Sequence, residues 1–339
     1  MKNFLNDYND RGHEKVYDFL SKLPERGLKG YSLDEYSFSV REKLKKEIGR
    51  DDIDVEFVAG GTVANIVCAT HTLRNYEAIV SAKTGHIAIH ESGALEATGH
   101  KIITLDSEDG KLNPELLLDR LSLFGAENDV IPKMLYISET AETGAVYTKD
   151  ELKDLYEVCL QYGLYMFIDG ARLSVALAAT GMTLKDISEV CDIFTIGGTK
   201  NGALFGEALV IVDEDLKERF RNHMKQKGAI MAKGFILAAQ FDGLFDQGLY
   251  YEIGKIAYEK AMTLKKKLDS LNISYAFKPE SNQIFVKLSK DQIEELKNRQ
   301  VLFDVENLGT DKFNVRFCTC YRTSDEEIDG LIEDLKEIL

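Results

Sequence analysis

Short apolar runs alternate with amphipathic segments from about residue 50 to residue 212, and this alternation constrains the fold more than any other feature of the sequence. A run of roughly four to eight apolar residues is typical of a buried strand, whereas apolar residues at helical spacing indicate a helix. Strands that alternate with helices predict an α/β fold, with a mostly parallel sheet sandwiched by helices. The predicted strands are EAIVSA (77–82), KIITL (101–105), KMLYIS (133–138), LYMFID (164–169), CDIFTI (191–196) and EALVIV (207–212).

The segment TKDELKDLYEVCLQYG, which begins at residue 148, illustrates the helical pattern. Thr148 can cap the first turn, and Glu151 stands three residues later, as a capping box requires. Apolar residues then recur at helical spacing, so we expect one buried face. Its predicted members are Leu152, Leu155, Tyr156, Cys159 and Leu160.

The pattern changes after residue 247. A long helical stretch, YYEIGKIAYEKAMTLKKKLDSL, precedes the shorter strands SNQIFVKL and FNVRFCTC and a final helix, SDEEIDGLIEDLKEIL. This mixture predicts a small C-terminal α+β domain that packs on the large one. We therefore divide the chain into an N-terminal arm with a large ligand-binding domain (1–247) and a small C-terminal domain (248–339).

The chain is acidic, with a formal net charge of −15. Nucleic acids and anionic membranes attract basic surfaces, so we expect neither as a partner. No apolar run reaches about 18 residues, the length that spans a membrane, and the opening MKNFLNDYNDRGHEK lacks the apolar core of a secretory signal. The five cysteines lie in apolar contexts without metal-ligand spacing. We therefore predict core thiols, no metal and a cytoplasmic location.

Polar residues stand where three of the apolar runs end, and ligands of α/β sheets bind at the carboxyl ends of strands. Asp169 ends the run LYMFID, and Lys200 follows CDIFTI in the segment GGTKNG. After EFVA, Gly61 and Thr62 open a helix, and the N–H groups and dipole of a helix N-terminus suit a phosphate. Taken singly, Asp169 also fits a cap of the next helix, and the glycine turn also fits an ordinary helix start.

Together, these three groups match the requirements of one ligand. Pyridoxal phosphate needs an amine that bonds to its aldehyde, a carboxylate that keeps its ring nitrogen protonated, and an anion site. Lys200, Asp169 and the turn at Gly61 and Thr62 supply them. His86, in KTGHIAIHESGA, can stack on the ring, although a loop histidine bonded to the backbone is the plainer interpretation.

Five segments resemble the threonine aldolase (β-eliminating lyase) family of fold-type I pyridoxal-phosphate enzymes. DGARL and GGTKNGALFGEALVI are similar to the family's aspartate and Schiff-base lysine segments, and GGTVAN is similar to its phosphate turn. GHIAIHESGA and VRFCTCYRTSDEEIDGLIEDL are similar to its ring-stacking histidine segment and its closing strand and helix. The likeness extends from NDY, near residue 6, to the C-terminus.

The resemblance implies a role for each matching residue. The implied catalytic residues are Lys200, His86 and Asp169. The implied cofactor-binding residues are Gly61, Thr62, His86, Asp169, Arg172, Thr199 and Lys200. The implied substrate-binding residues are Asn6, which stands where the family usually has a serine, Tyr31, Arg172 and Arg316. The family also implies a homodimer or homotetramer with shared sites, in which Tyr31 comes from the neighbouring subunit.

The activity implied by the resemblance is that of a lyase. It is an aldolase that cleaves an L-threonine-like β-hydroxy-α-amino acid into glycine and an aldehyde by retro-aldol chemistry. Two alternatives stay open: another fold-type I enzyme (a β-eliminating lyase or an aminotransferase), and a non-enzymatic phosphate-binding α/β protein. One segment departs from the family. Where members commonly carry ENTHN, this chain has ISETAETGAVY, with Glu139, Thr140 and Glu142 but no histidine. The base for the β-hydroxyl proton is then His86, His90 or an ordered water.

The missing histidine generates a prediction about substrate preference. Loss of a general base costs about 10²–10⁴-fold in rate, and a substrate with a better aldehyde leaving group depends less on that base. We therefore expect another β-hydroxy amino acid, such as phenylserine, to be cleaved faster than threonine. The measurement is kcat/KM of the purified enzyme for threonine, allo-threonine, serine and phenylserine. A lead of about tenfold or more for threonine would contradict this prediction.

Overall fold

The structure, a computed structural model, describes residues 1–307 and 312–339. Its strands in chain order are β1 (Lys2–Asn3), β2 (Asp54–Val58), β3 (Glu77–Ala82), β4 (Lys101–Leu105), β5 (Ile131–Ser138), β6 (Tyr165–Asp169), β7 (Ile193–Gly197), β8 (Glu207–Ile211), β9 (Gln283–Ser289), β10 (Val301–Leu302), β11 (Asp304–Asn307) and β12 (Lys312–Cys318). Strands β2 to β8 form a sheet in the order β2-β8-β7-β6-β5-β3-β4. Strands β3 to β7 are parallel to one another, and β8 is antiparallel to β2 and β7. All the predicted strands of this sheet are confirmed, and β2 adds one that was not predicted.

Helices cover both faces of this sheet, which confirms the α/β class. They are α1 (Glu14–Ser21), α2 (Glu35–Ile48), α3 (Gly61–Thr72), α4 (His86–Ile89), α5 (Pro114–Leu121), α6 (Lys149–Tyr162), α7 (Leu173–Thr180), α8 (Leu184–Ser188), α9 (Phe220–Gln226), α10 (Phe235–Leu244), α11 (Leu249–Asp269), α12 (Lys290–Asn298) and α13 (Asp325–Ile338). Ile79 and Val80, adjacent on β3, point to opposite faces and belong to separate apolar clusters. Helices α3 and α9 pack on the face of Ile79, and α2, α6, α7 and α10 pack on that of Val80. Among the described residues, no helix is both long and apolar enough to cross a membrane.

Helix α6 begins with the predicted capping box, in which Thr148 and Glu151 bond to each other's backbone N–H. Leu152, Leu155 and Cys159 are buried as predicted. The prediction for Leu160 was wrong, since 63% of its surface is exposed. A residue five positions after Leu155 lies about 140° around the helix, beyond the edge of the buried face.

The C-terminal elements confirm the predicted helices and strands of this part of the chain. Strands β11, β12 and β9 form an antiparallel sheet, and α11, α12 and α13 contribute to a third apolar cluster beside it. Helix α11 joins two clusters, with Tyr250 in the cluster under the large sheet and Leu264 in the third one. The N-terminus also belongs here, because β1 pairs with β10 and Phe4 lies in the third cluster. The domain boundary at residue 247 stays a prediction.

The contact between α7 and α11 generates a prediction about stability. Gly254 of α11 lies so close to α7 that an added Cβ would overlap the Ser174 carbonyl group. Gly254→Ala should therefore lower the free energy of unfolding by about 1–3 kcal/mol through overpacking. This loss should appear although alanine favours a helix by about 0.5–1 kcal/mol over glycine. Denaturant-induced unfolding of the purified proteins measures the difference.

Gly330→Ala in α13 is the matched control. There an added Cβ would meet the Lys2 Cε at 2.6 Å, and the end of a lysine side chain can move aside. This variant should be as stable as the parent or slightly more so. Equal stability of the two variants would show that the approach of α11 to α7 does not depend on glycine.

Candidate active site

A cleft of about 510 Å³ opens where the ends of β5 and β6 meet the N-terminus of α3 and the loop after β7. Its volume is on the scale of a cofactor-binding pocket. Most of the residues that the sequence assigned to the site line this cleft. They are Gly61, Thr62, His86, Asp169, Arg172, Thr199, Lys200 and Arg316.

Asp169, the last residue of β6, is 5% exposed. Its Oδ2 accepts a hydrogen bond from the Tyr136 hydroxyl at 2.6 Å and a longer one from Asn65 Nδ2 at 3.3 Å. Its Oδ1 accepts from the Ala171 N–H at 3.1 Å. Asp169 does not cap the next helix, because the N-cap of α7 is Arg172. Neutral donors thus hold a buried carboxylate at the floor of the cleft.

His86 is held by a buried carboxylate rather than by the backbone. Its Nδ1 lies 2.9 Å from Glu91 Oε1, which also accepts from Asn65 Nδ2 at 2.7 Å. Because Glu91 engages Nδ1, Nε2 is the nitrogen left to interact with a ligand. Burial lowers the pKa of His86, but the Glu91 hydrogen bond and the charges of Glu142 and Asp169 outweigh it, so this pKa lies above its ordinary value.

Lys200 lies in the loop between β7 and β8. Glu207, the first residue of β8, fixes this loop, since its carboxylate accepts from the Gly198 N–H at 3.0 Å and from the Thr199 hydroxyl at 3.1 Å. A Cβ on Gly198 would come within 2.5 Å of the Gly206 carbonyl oxygen. Glycine is therefore required there by a close backbone approach, and the small residues beside Lys200 let the loop pack tightly.

The turn before α3 presents an uncapped helix N-terminus to the cleft. Gly60 is the N-cap and makes no side-chain cap hydrogen bond, and the helix begins at Gly61. A Cβ at either glycine would meet no atom within 4 Å, so both face open space. The first N–H groups of the helix are therefore available to an anion.

Two arginines line the cleft, and they differ in their partners. Arg172 is buried and paired with Asp7, whose Oδ2 accepts from Nε at 2.7 Å and whose Oδ1 accepts from Nη2 at 3.1 Å. Burial raises the pKa of Asp7, but the positive charges beside it, Arg172 first, outweigh burial and lower this pKa to about 2. Arg316 Nη2 lies 2.9 Å from the exposed Asp304, and Nη1 donates to Gln283 Oε1 at 3.1 Å. Since Asp304 is exposed and Asp7 is buried, Arg316 is the arginine whose charge is less fully neutralised.

Asn6 and Tyr31 do not line the cleft as it is described. Asn6 Oδ1 accepts from the N–H of Tyr8, and the ring centre of Tyr8 lies 5.9 Å from the Lys200 amine. Tyr31 is 43% exposed, and the Lys225 amine stands 4.1 Å from the centre of its ring. The substrate-binding roles of Asn6 and Tyr31 stay predictions.

The segment ISETAETGAVY supplies Ser138, Thr140 and Glu142 to the lining of the cleft. Thr140 Oγ1 is buried without a hydrogen-bond partner among the described residues. Glu139 is fully buried, and its carboxylate accepts from the Tyr147 N–H. Burial raises the pKa of Glu139 well above its usual value. His90 also lines the cleft, with its ring centre 5.5 Å from that of His86.

Sequence reasoning missed the residues that hold the site residues in place. Two of them stood in segments that the motif search had isolated, Asn65 in GGTVAN and Glu91 in HESGA. For Asn65 the available signal was a polar residue inside an apolar helix. Glu207 is the one polar residue of β8, and Tyr136 lies within the run MLYI of β5. Asp7 gave no local signal, because its partner Arg172 lies 165 residues away.

The contents of the cleft fit the groups of pyridoxal phosphate. A lysine amine suits its aldehyde, a buried carboxylate without a cation suits a protonated ring nitrogen, and an uncapped helix N-terminus suits its phosphate. Fold and site together define a fold-type I pyridoxal-phosphate enzyme. A serine palmitoyltransferase from Sphingomonas wittichii shares this fold, with a TM-score of 0.75 and 13% sequence identity over 99% of this chain and 86% of that one.

The family follows from comparison with known proteins. A family model described as Beta-eliminating lyase matches residues 20–291. The chain belongs to this family of pyridoxal-phosphate-dependent lyases. It is 38% identical to a threonine aldolase from Leishmania major, with a TM-score of 0.96 over 100% of this chain and 99% of that one. It is 29% identical to the low specificity L-threonine aldolase of a Pseudomonas species over 320 residues, which are 92% of this chain and 90% of the relative.

The buried carboxylate of Asp169 generates a prediction about catalysis. Asp169→Asn keeps the shape of the side chain but removes the charge that would keep a ring nitrogen protonated. We expect the variant to retain cofactor and to lose about 2–4 kcal/mol of transition-state stabilisation, which is a fall of about 30- to 1000-fold in kcat. Steady-state kinetics of the variant loaded with cofactor, beside its absorbance spectrum, tests this.

Asp192→Asn is the matched control, because Asp192 is another buried carboxylate, bonded to the Met166 N–H and the Tyr156 hydroxyl, at the opposite end of the sheet. It should change stability without changing kcat. A kcat of Asp169→Asn within about threefold of the parent would exclude the role given to Asp169.

Proposed function

We propose that this protein is an aldolase that uses pyridoxal phosphate to cleave a threonine-like β-hydroxy-α-amino acid into glycine and an aldehyde. The observation that carries this proposal is the convergence of Lys200, Asp169 and the N-terminus of α3 in one cleft. The likeness to the Leishmania major threonine aldolase over the whole chain supports aldol cleavage over elimination or transamination.

Four groups would hold the cofactor. Lys200 would bond to its aldehyde, Asp169 would pair with its ring nitrogen, and His86 would stack on its ring. The N–H groups at Gly61 and Thr62 would bind its phosphate, and the Thr199 hydroxyl would join them by turning its proton from Glu207 to the phosphate. When bound, pyridoxal phosphate draws electrons out of the bonds to Cα of an attached amino acid.

The substrate carboxylate would be held by guanidinium groups. Arg316 is the principal candidate because its partner Asp304 is exposed and can give way. A guanidinium binds a planar carboxylate through two parallel hydrogen bonds, which fixes orientation as well as position. Arg172 would contribute Nη1, the guanidinium nitrogen that does not bond to Asp7. Asn6 would stand near the same substrate carboxylate. Fixing the carboxylate orients the Cα–Cβ bond for cleavage.

Aldol cleavage requires one proton to leave the β-hydroxyl and another to reach Cα. His86 Nε2 is our candidate for the first transfer, because Glu91 engages Nδ1 and so orients the ring. Glu142 and His90 also line the cleft and are the other candidates. The raised pKa of His86 suits a group that holds a proton during part of the cycle.

The assembly and location of the protein are proposals too. We propose a cytoplasmic homodimer or homotetramer in which Tyr31 of one subunit completes the site of another. The side chains of Tyr31, Leu33 and Phe38 are exposed, and a second copy that covered them would bury apolar area. The net charge of −15 supports partners other than nucleic acid or membrane. We also propose that the chain divides into two domains after residue 247. We propose further that the reaction requires no metal ion.

The central test of this function is Lys200→Ala. The variant should lose the visible absorbance of bound cofactor, and kcat should fall by at least about 10²-fold, the scale for a group that contacts the reacting atoms. The fold should survive, because removing a cleft amine removes little buried apolar area. Absorbance, thermal unfolding and product analysis of parent and variant are the measurements.

Lys83→Ala is the control, since Lys83 follows β3 and its side chain is 66% exposed. This variant should match the parent in absorbance and rate. The parent should release glycine and an aldehyde in equal amounts. Release of pyruvate and ammonia would contradict the aldolase assignment, and full turnover by Lys200→Ala would contradict the cofactor assignment.

A further inference from the structure

Glu207 joins the two strand ends on which the proposed cofactor site depends. It is the first residue of β8 and pairs with Val58, the last residue of β2, and with Gly197, the last residue of β7. The chain runs from Val58 into the turn at Gly60 and from Gly197 into the lysine loop. Glu207 is 4% exposed and lines the cleft, so its carboxyl group stands between these two segments.

The hydrogen bonds of Glu207 fix the backbone beside Lys200. One carboxyl oxygen accepts from the Gly198 N–H at 3.0 Å, and the other accepts from the Thr199 hydroxyl at 3.1 Å. The same hydroxyl accepts from the Gly206 N–H at 3.0 Å. The Gly206 carbonyl oxygen also accepts from the Gly198 and Thr199 N–H groups, so the Glu207 carboxyl group reinforces a backbone contact between the two ends of the loop. None of the bonds made by Glu207 is a salt bridge.

Burial, and after it the negative charge of Asp169, raise the pKa of Glu207 to about 8. The Gly198 N–H, Lys200 and Thr199 act in the opposite direction. Tyr250, from α11, also faces Glu207. An acid whose pKa is raised keeps its proton in the folded protein at pH values where the unfolded chain has lost it. Glu207 is therefore mostly protonated below pH 8, and its ionised fraction grows as the pH rises through this value.

We propose that Glu207 is a positioning residue that holds the lysine loop beside the turn before α3, and that it carries a proton whenever an anion is bound at that turn. A second negative charge beside a bound phosphate would be repelled in a buried site. A neutral carboxyl group keeps one acceptor oxygen for the Gly198 N–H, and its O–H can donate to the Thr199 hydroxyl oxygen, without that repulsion. This inference rests on the cofactor site and does not depend on which bond of the substrate is broken.

The proposal has a thermodynamic consequence. If an anion binds better when Glu207 is protonated, binding must raise the pKa of Glu207 and take up a proton at pH values near 8. Affinity for the anion should then fall as the pH rises through this range, by about tenfold per pH unit at most for one coupled proton. Replacing Glu207 by its neutral isostere should remove this dependence.

The test uses Glu207→Gln and Glu207→Ala, with Glu77→Gln as the matched control. Glu77 is a buried glutamate that begins β3, and its Oε2 accepts from the Arg74 N–H at 2.7 Å. The probe is pyridoxine 5′-phosphate, which carries the ring and phosphate but no aldehyde, so reaction with Lys200 does not contribute. Its Kd is measured by calorimetry from pH 6 to pH 9, in buffers of different ionisation enthalpy.

Near pH 6 the parent and Glu207→Gln should bind with similar Kd. Above pH 8 the Kd of the parent should rise relative to that of Glu207→Gln, by up to about tenfold per pH unit. The parent should also take up a proton when it binds the probe, whereas Glu207→Gln should not. Glu77→Gln should follow the parent at every pH. A ratio of Kd values for the parent and Glu207→Gln that stays constant from pH 6 to pH 9 would overturn the proton coupling.

The positioning role has its own readout in the protein without cofactor. The Gly198 N–H also donates to the Gly206 carbonyl oxygen at 3.0 Å, so Glu207→Ala removes one of its two acceptors. Hydrogen exchange at this amide should accelerate by about tenfold in Glu207→Ala and return toward the parent rate in Glu207→Gln, which keeps an acceptor oxygen. Unchanged exchange in Glu207→Ala would overturn this role. Neither measurement involves turnover, so failure here is distinct from failure of the aldolase proposal.

Discussion

The buried carboxylate of Asp169 is the charge around which the cleft is organised. A buried charge is costly unless hydrogen bonds satisfy it, and here the donors are neutral: the Tyr136 hydroxyl, the Asn65 amide and a backbone N–H. Because no cation among the described residues pairs with it, its charge acts on its neighbours and helps to raise the pKa of both His86 and Glu207. A ligand with a protonated ring nitrogen is the electrostatic complement of such a site.

Close backbone packing ties Asp169 to the lysine. A Cβ on Gly170, which follows Asp169, would overlap the Thr195 carbonyl oxygen, and a Cβ on Gly197 would stand 2.5 Å from the Ala171 carbonyl oxygen. The turn after β6 and the loop after β7 thus touch backbone to backbone. Contact of this kind leaves little freedom for relative movement, so the backbone that carries Lys200 keeps a fixed position relative to Asp169.

The first residues of the chain connect the large sheet to the C-terminal elements. Strand β1 pairs with β10, Phe4 lies in the third apolar cluster, and Asp7 reaches across to Arg172 beside the cleft. Arg316, on β12, enters the cleft from the C-terminal sheet. The two arginines proposed to bind the substrate carboxylate therefore come from different parts of the fold. The N-terminal segment contacts both parts, which makes the geometry of the carboxylate site depend on it.

The sequence by itself determined the predicted strands of the large sheet, the capping box at Thr148 and the polar residues at the strand ends, because each depends on the chain within a few positions. Only the tertiary structure decided the order of the strands and which residues hold the site residues in place. Glu91 beside His86 and Asp7 beside Arg172 are pairs that local periodicity does not encode. Periodicity reports which face of an element is apolar, whereas a hydrogen bond between distant residues requires elements to be packed in three dimensions before its two partners meet.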